Sequence, residues 1–277
     1  MVSIAYNDGS DSFSYLHSDD SSFKSLPLHI HDSYEIYYFL SGDVTYRIEG
    51  QSYKMESNDM LIISDRELHR PRFDSSEAYE RIVIHFRPES ISLYQTREYN
   101  LLQCFQKRKL GHLNKIDARE VVKQGLKDYI DKIESYIQKN LPESHVMIKT
   151  LFVQLLVALN NIYIQKDGRL KGCCEYDKKV NLVLDYVNEN LHRPITLEMI
   201  EKELFISKYY LCHTFKKHTG FTVMEYTAYK KVQKAKALLS EGVSSLEACL
   251  GAGFNNYSNF YKTFKKLTGT SPSKAFM

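Results

Sequence analysis

The chain has 277 residues, 43% of them hydrophobic and 26% charged, which is enough length for two cores of the usual roughly 100–200 residues. No unbroken apolar run approaches the roughly 18 residues that span a bilayer. Met1 to Asp20 holds Asp8, Asp11, Asp19 and Asp20 but no Lys or Arg, so neither a membrane contact nor a signal peptide is expected and the location read from it is cytoplasmic.

From His29 to Phe86 the chain reads as short β-rich runs: YEIYYF, DVTYRI, MLIIS and RIVIHF, parted by turns at Ser41-Gly42, Gly50-Gln51 and Asn58-Asp59. Many short strands at this spacing predict a barrel or jelly roll. His29, His31 and Glu35 make H-x-H-x-x-x-E with Gly42 beyond, and His69 lies just after a later strand. This resembles the first cupin motif, with His69 in the place of the second motif's histidine. Asn58, Ser64 and Arg66 stand where that second motif expects Gly, Pro and Gly. Two histidines, a carboxylate and a third histidine are donors for Fe, Mn, Ni or Zn. They equally suit a metal-free pocket for a polar small molecule, or a hydrogen-bonded structural cluster. The expected cofactor set is none, with His29, His31, Glu35 and His69 the residues that would hold a metal. A strand starting near His29 gives His29, His31, Glu35, Tyr37 and Phe39 one parity and so one interior face, so His29, His31, Glu35, Tyr37 and His69 form the candidate ligand site. Arg81 and His85 share a face of a later strand; the alternative is that they meet solvent while Ile82, Ile84 and Phe86 fill the core.

Asp117 to Lys139 places Val122, Leu126, Tyr129, Ile130, Ile133, Tyr136 and Ile137 at helical spacing, ending before Pro142. A second helix carries Ile148, Leu151, Phe152, Leu155, Leu156, Leu159, Ile162 and Tyr163 on a wide apolar face. Such a pair suits a homodimer, or else seals the barrel. Lys166 to Tyr176, with Gly168, Gly172, Cys173 and Cys174, is the linker candidate. Cys104, Cys173, Cys174, Cys212 and Cys249 show no C-x-x-C spacing and predict reduced thiols.

Residues 177–277 hold 15 Lys and Arg against 9 Asp and Glu, while the preceding 176 hold 22 against 25. A basic module on an acidic body points to a polyanionic partner, although a solvated Lys-rich face gives the same count. Leu211 to Gly220 reads LCHTFKKHTG and Phe260 to Gly269 reads FYKTFKKLTG, a repeat offset by 49 residues. Ahead of the first copy, Thr196 caps a helix through Leu197, Ile200 and Leu204, and Ser207 caps another carrying Tyr210, Leu211 and Phe215. Ahead of the second, Ser244 and Glu247 make a capping box, the helix stops at Gly253, and Asn255 or Asn256 caps a helix burying Phe260 and Phe264. Thr222 and Glu225 open a long helix through Tyr226, Val232, Ala235, Leu238 and Leu239 that joins the two units. Each unit is helix, turn, helix. Such units lay the second helix in the major groove of DNA, and two on one rigid joint reach successive grooves about 34 Å apart.

Residues 180 to 276 resemble the DNA-binding domain of the AraC/XylS family of bacterial regulators. The match is carried by ITLEMI, ELFISKYYLCHTFKKHTG, YTAYKKVQKAKALL, GAGFNNYSNFYKTFKK and TGTSP. By position, the resemblance implies base contacts from Tyr209, Cys212 and His213 with Lys216 and Lys217 on phosphates. In the second helix it implies Asn256, Tyr257, Ser258, Asn259 and Lys262, with Lys265 toward the backbone. Glu201 stands where the family has Ala and Ser245 where it has Ile, which predicts looser support for the recognition helices. Cys212 and His213 replace the longer polar side chains often found there in the family, so the first unit is expected to read fewer bases than the second.

The fold class expected is α+β in two domains: a cupin-like β-barrel or jelly roll with following helices, then an all-α domain with two helix-turn-helix motifs. The expected boundaries are 1–110 for a ligand-sensing β-domain, 111–165 for a helical pair, 166–176 for a linker and 177–277 for the DNA-binding domain. The implied function is a transcriptional regulator, no enzyme, whose partners are double-stranded DNA, a small-molecule effector (a sugar at family level), a second copy of itself and, for an activator, RNA polymerase. The competing reading is a metal-dependent cupin enzyme or a metal-responsive regulator using His29, His31, Glu35 and His69. A duplicated recognition helix serves no catalytic need.

Overall fold

A computed structural model describes residues 3–9, 12–20, 26, 29–75, 77–167, 178–219 and 221–275. The chain divides into two compact units, residues 1–48 with 52–173, and residues 49–51 with 174–277. Of the linker expected from Lys166 to Tyr176, Lys166 and Asp167 are still helical, and the rest, with Cys173 and Cys174, lies outside the described residues.

Among the described residues the first unit holds nine strands: β1 Ser3–Asn7, β2 Phe13–Asp20, β3 Tyr34–Ser41, β4 Val44–Ile48, β5 Gln51–Lys54, β6 Met60–Ile63, β7 His69–Phe73, β8 Tyr79–Phe86 and β9 Lys115–Ile116. They form a six-stranded sheet in the order β1-β2-β8-β3-β6-β9 and a three-stranded sheet β5-β4-β7. Strand alternation assigns β3 to two cores. Tyr34, Ile36 and Tyr38 enter one cluster with helical residues, while Tyr37 and Phe39 pack with Val44, Tyr46, Ile48, Leu61 and Tyr79 between the sheets. Both faces of β3 are therefore buried, which is why YEIYYF reads as an almost continuous apolar run.

The outer face of the larger sheet is covered by α1 Gln103–Gln106, α2 Ala118–Lys123, α3 Leu126–Lys139 and α4 Ser144–Asp167. The single helix expected over Asp117 to Lys139 is broken. Gly125 takes φ +64°, a left-handed turn that suits glycine, so Val121 is buried and Val122 is exposed. The second helix is long and apolar enough to cross a membrane, with a mean hydropathy of 1.5 over Ser144–Gln165. Its stripe of Ile148, Phe152, Leu155, Leu159 and Ile162 instead packs in the same cluster as the sheet. Asn160 on it accepts from Cys104 N and donates to Asn100 O, both at 2.9 Å. These are the contacts of a core helix.

The second unit is helical: α5 Lys178–Glu189, α6 Leu197–Leu204, a π-helical turn Tyr210–Thr214, α7 Phe215–Thr219, α8 Val223–Ser240, α9 Ser245–Gly251 and α10 Tyr257–Thr268. The caps read from the sequence are formed. Thr196 accepts from Met199 N, and both capping boxes, Thr222 with Glu225 and Ser244 with Glu247, are closed in both directions.

Candidate functional site

In the first unit the strand register builds a cluster. Antiparallel pairing sets His85 of β8 opposite Glu35 of β3, and His69, the first residue of β7, is bridged to His29 by paired backbone hydrogen bonds of 3.0 and 3.1 Å. Donor atoms of His29, His31, Glu35 and His69 lie within 4.8 Å of one another. Oε2 of Glu35 is 2.8 Å from Nε2 of His31, 3.2 Å from Nε2 of His69 and 3.3 Å from Nε2 of His85. Burial opposes the charge of Glu35, but the surrounding imidazoles hold its carboxyl well below the usual carboxylate range. Tyr46 stands beside it, its phenol pushed up by burial and by the Glu35 charge.

Backbone carbonyls set the tautomers. Nδ1 of His31 is 2.8 Å from Ser33 O and Nδ1 of His69 is 2.7 Å from Glu67 O. A carbonyl only accepts, so both rings donate from Nδ1 and turn Nε2 toward Glu35. Nε2 of His69 is fully buried, 3.2 Å from Oε2 of Glu35.

Not every residue expected in this site joins it. Tyr37 shares the parity of Glu35 but its hydroxyl bonds Tyr79 at 2.8 Å and its ring fills the core between the sheets. Parity fixes the face of a strand, not the depth along it. Arg81 is buried over the Tyr79 ring, 4.5 Å from its centroid, whereas His85, for which the solvent alternative stood open, borders Glu35. The missing signal for His85 was the β3–β8 register, which joins residues 50 apart in sequence. An open cleft of about 220 Å³ adjoins the cluster, lined by Asn7, Ser12, Ser14, His31, Ser33, His85, Phe86 and Arg87.

In the second unit, Leu211 and Phe215 anchor one recognition helix and Phe260 and Phe264 the other, all four fully buried. The opposite faces carry Tyr209, Cys212, His213, Lys216 and Lys217, and then Asn256, Tyr257, Ser258, Asn259, Lys262 and Lys265, all exposed. Tyr209 stacks on His213 at 4.5 Å. Asn256 is the N-cap of α10, accepting from Asn259 N at 3.1 Å, so its side-chain oxygen is committed to the helix. The carboxylate of Glu201 accepts from Lys208 N at 3.0 Å and caps the start of the first recognition helix. Lys231 of α8 donates to Arg193 O at 2.9 Å and to Gly253 O, tying the joining helix to the loop after α5 and to the turn of the second motif. Burial and the neighbouring Lys234 lower its pKa.

A β-domain with a polar cluster, followed by two helix-turn-helix motifs on one joining helix, defines a DNA-binding regulator with a sensing domain. Residues 13–156 match the AraC-like ligand binding domain and residues 200–276 a helix-turn-helix domain. The chain belongs to the AraC family of transcriptional regulators. It is similar to the uncharacterized HTH-type regulator YdiP of Escherichia coli, 24% identical over 92% of this chain and 82% of that one. The uncharacterized HTH-type regulator YbfI of Bacillus subtilis is 24% identical over 88% of this chain and 86% of that one. Among solved structures, ToxT from Vibrio cholerae is 14% identical, covers 96% of this chain and 98% of its own, and has a TM-score of 0.38.

Proposed function

We propose that this regulator senses a small polar effector in the cleft bordered by His31 and His85, and that occupancy changes how the two recognition helices engage DNA. The observation that carries this is the convergence of buried and half-buried imidazoles on one carboxylate next to an open cleft. Clusters of perturbed titratable groups in a concavity mark binding sites. The lining of Ser12, Ser14, Ser33, Asn7 and Arg87 favours an oxygen-rich molecule, with sugars and small carboxylic acids as the first sets to screen. A ligand shifts such an equilibrium only by its differential affinity for the two states.

On DNA, Tyr209, Cys212, His213, Tyr257, Ser258 and Asn259 face bases in this reading, while Lys216, Lys217, Lys262 and Lys265 hold phosphates. A homodimer through α3 and α4 and, at activated promoters, contact with RNA polymerase belong to the same reading. The test is binding of the purified chain to its own upstream intergenic DNA at two salt concentrations, against unrelated DNA. Tighter, salt-sensitive binding that a cleft ligand alters supports the proposal. Binding that no sugar or small acid alters, with Arg87→Ala also without effect, defeats the effector half.

A further inference from the structure

We infer that Lys231 is a positioning residue: by holding a backbone carbonyl beside each helix-turn-helix motif, its ammonium fixes the distance and angle between the two recognition helices and so sets the half-site spacing that the regulator accepts. The inference rests on the reading that both helices engage DNA, and it concerns the second unit alone.

Lys231 lies midway along α8 and is 6% exposed. Its Nζ donates to Arg193 O at 2.9 Å and to Gly253 O, and stands 5.6 Å from the centre of the Phe254 ring. Arg193 belongs to the loop between α5 and α6, and its guanidinium extends the tie, donating to Asn190 Oδ1 at 2.8 Å and to Glu203 of α6 at 3.1 Å. Gly253 lies in the turn ahead of Asn256, the N-cap of α10. One ammonium therefore joins the loop that leads into the first motif to the turn that launches the second recognition helix.

Direct backbone contact closes the same junction. A Cβ on Gly253 would fall 2.2 Å from Leu191 O and 2.9 Å from Arg193 N, so the turn meets the loop with no side chain between them. The second motif also rests on α8 through apolar packing, with Val232, Ala235 and Leu239 against Ala248, Phe260 and Phe264. Apolar contact is non-directional, and packed helices scatter by roughly 15–20° about a preferred crossing angle. Hydrogen bonds from a buried ammonium are directional and are lost when either acceptor moves away. Burying that charge costs stability that an apolar side chain at the same place would not. What the ammonium supplies is geometry, with one acceptor held beside each motif. Geometry decides which DNA fits, because each base pair inserted between half-sites adds about 3.4 Å and roughly 34° of rotation.

The experiment reads that geometry with and without DNA. Nitroxide labels are placed on Cys212 and on Ser258→Cys, one on each reading face, in the full-length chain carrying Cys173→Ser and Cys174→Ser; Cys104 and Cys249 are buried. Labelled chain is diluted into excess unlabelled chain, so that pulsed electron paramagnetic resonance reads distances within one chain. The parent should give one narrow distance. Lys231→Met should broaden it about twofold, and Lys231→Arg, which keeps buried donors, should restore it. On upstream DNA, one base pair inserted between protected segments one turn apart should weaken the unlabelled parent about tenfold and Lys231→Met less than about threefold. Ser244→Ala removes a cap of the second motif without touching Lys231, and it should keep both the narrow distance and the full insertion penalty. If Lys231→Met does not fold, Lys231→Gln, with a neutral donor on a shorter stem, takes its place. An unchanged distance width or an unchanged insertion penalty in the folded variant overturns the inference, as does Ser244→Ala behaving like Lys231→Met. A parent chain with no preference for upstream DNA sinks the DNA reading instead, and the distance widths still decide whether Lys231 positions the helices.

Discussion

The two helix-turn-helix motifs of the second unit are near copies that solve the same turn differently. Their first helices are capped at Thr196 and Ser244, 48 residues apart, but their recognition helices start from Ser207 and Asn256, 49 apart. The second turn thus holds one extra residue. It reverses through Gly253 at φ +76°, where a Cβ would come within 2.8 Å of the His192 carbonyl carbon. The first reverses through Phe205 at φ +55°, with a phenyl ring 91% exposed. The first recognition helix also contains a π-type turn at Tyr210–Thr214, a feature that widens a helix locally and often sits at functional positions, whereas α10 is regular over Tyr257–Thr268. One motif is a tightly packed template. The other accepts strain and a distorted reading helix.

The largest effect should follow from breaking the tight turn. Gly253→Ala puts a side chain into the backbone of the loop after α5 in a conformation that L-residues avoid, so denaturant unfolding followed by far-UV circular dichroism should show a loss of at least about 2 kcal/mol. A loss under about 0.5 kcal/mol would mean that the turn relaxes freely and the contrast between the motifs is not one of packing. The reading faces give the next effect. Asn259→Ala should cost about 1–3 kcal/mol at one base pair, and Cys212→Ala much less at any, because a thiol offers no bidentate contact. Lys216→Ala and Lys262→Ala should each lower the salt slope of DNA binding by about 1 without changing base preference. Equal losses at Cys212 and Asn259 would erase the asymmetry read from these helices.

These motifs were legible because their determinants are local: a cap and its partner lie three residues apart, and the buried Phe pairs follow helical spacing. The sensing cluster was legible only in part. The strand expected to start near His29 starts only at Tyr34, so Glu35 lies on β3 while His29 and His31 precede it and share no strand face with it; the approach of His69 and His85 depends on β7 and β8 pairing across long loops, which no short window encodes. Tyr37 shows the opposite error, since correct parity placed it on the right face and the filled core kept it from the cleft. Gly125 breaking the helix over Asp117 to Lys139 was readable in principle, because glycine in a helical interior already costs about 1 kcal/mol. The helical spacing around it outweighed that signal.

Smaller substitutions sharpen the comparison within the first motif. Glu201→Ala removes the acceptor for Lys208 N and should cost about 1 kcal/mol, as a lost N-cap does; Ser244→Ala should cost the same in the second motif. If Glu201→Ala is neutral, the family-like Ala packs there as well as the carboxylate caps.

The smallest expected change has the opposite sign. Left-handed backbone costs an L-residue roughly 1–2 kcal/mol, and the exposed Phe205 ring returns little of that through packing. Phe205→Gly relieves the strain but adds unfolded-chain entropy worth about 0.4–1 kcal/mol, which leaves a net gain of roughly 0.5–1 kcal/mol in unfolding free energy. DNA affinity read alongside decides what the strain is for. A stabilised chain with unchanged affinity marks Phe205 as a tolerated defect of the turn. A stabilised chain that binds DNA more weakly assigns the phenyl ring to the interface, where a strained and solvent-facing aromatic beside a reading helix has a function that the glycine of the second motif does not perform.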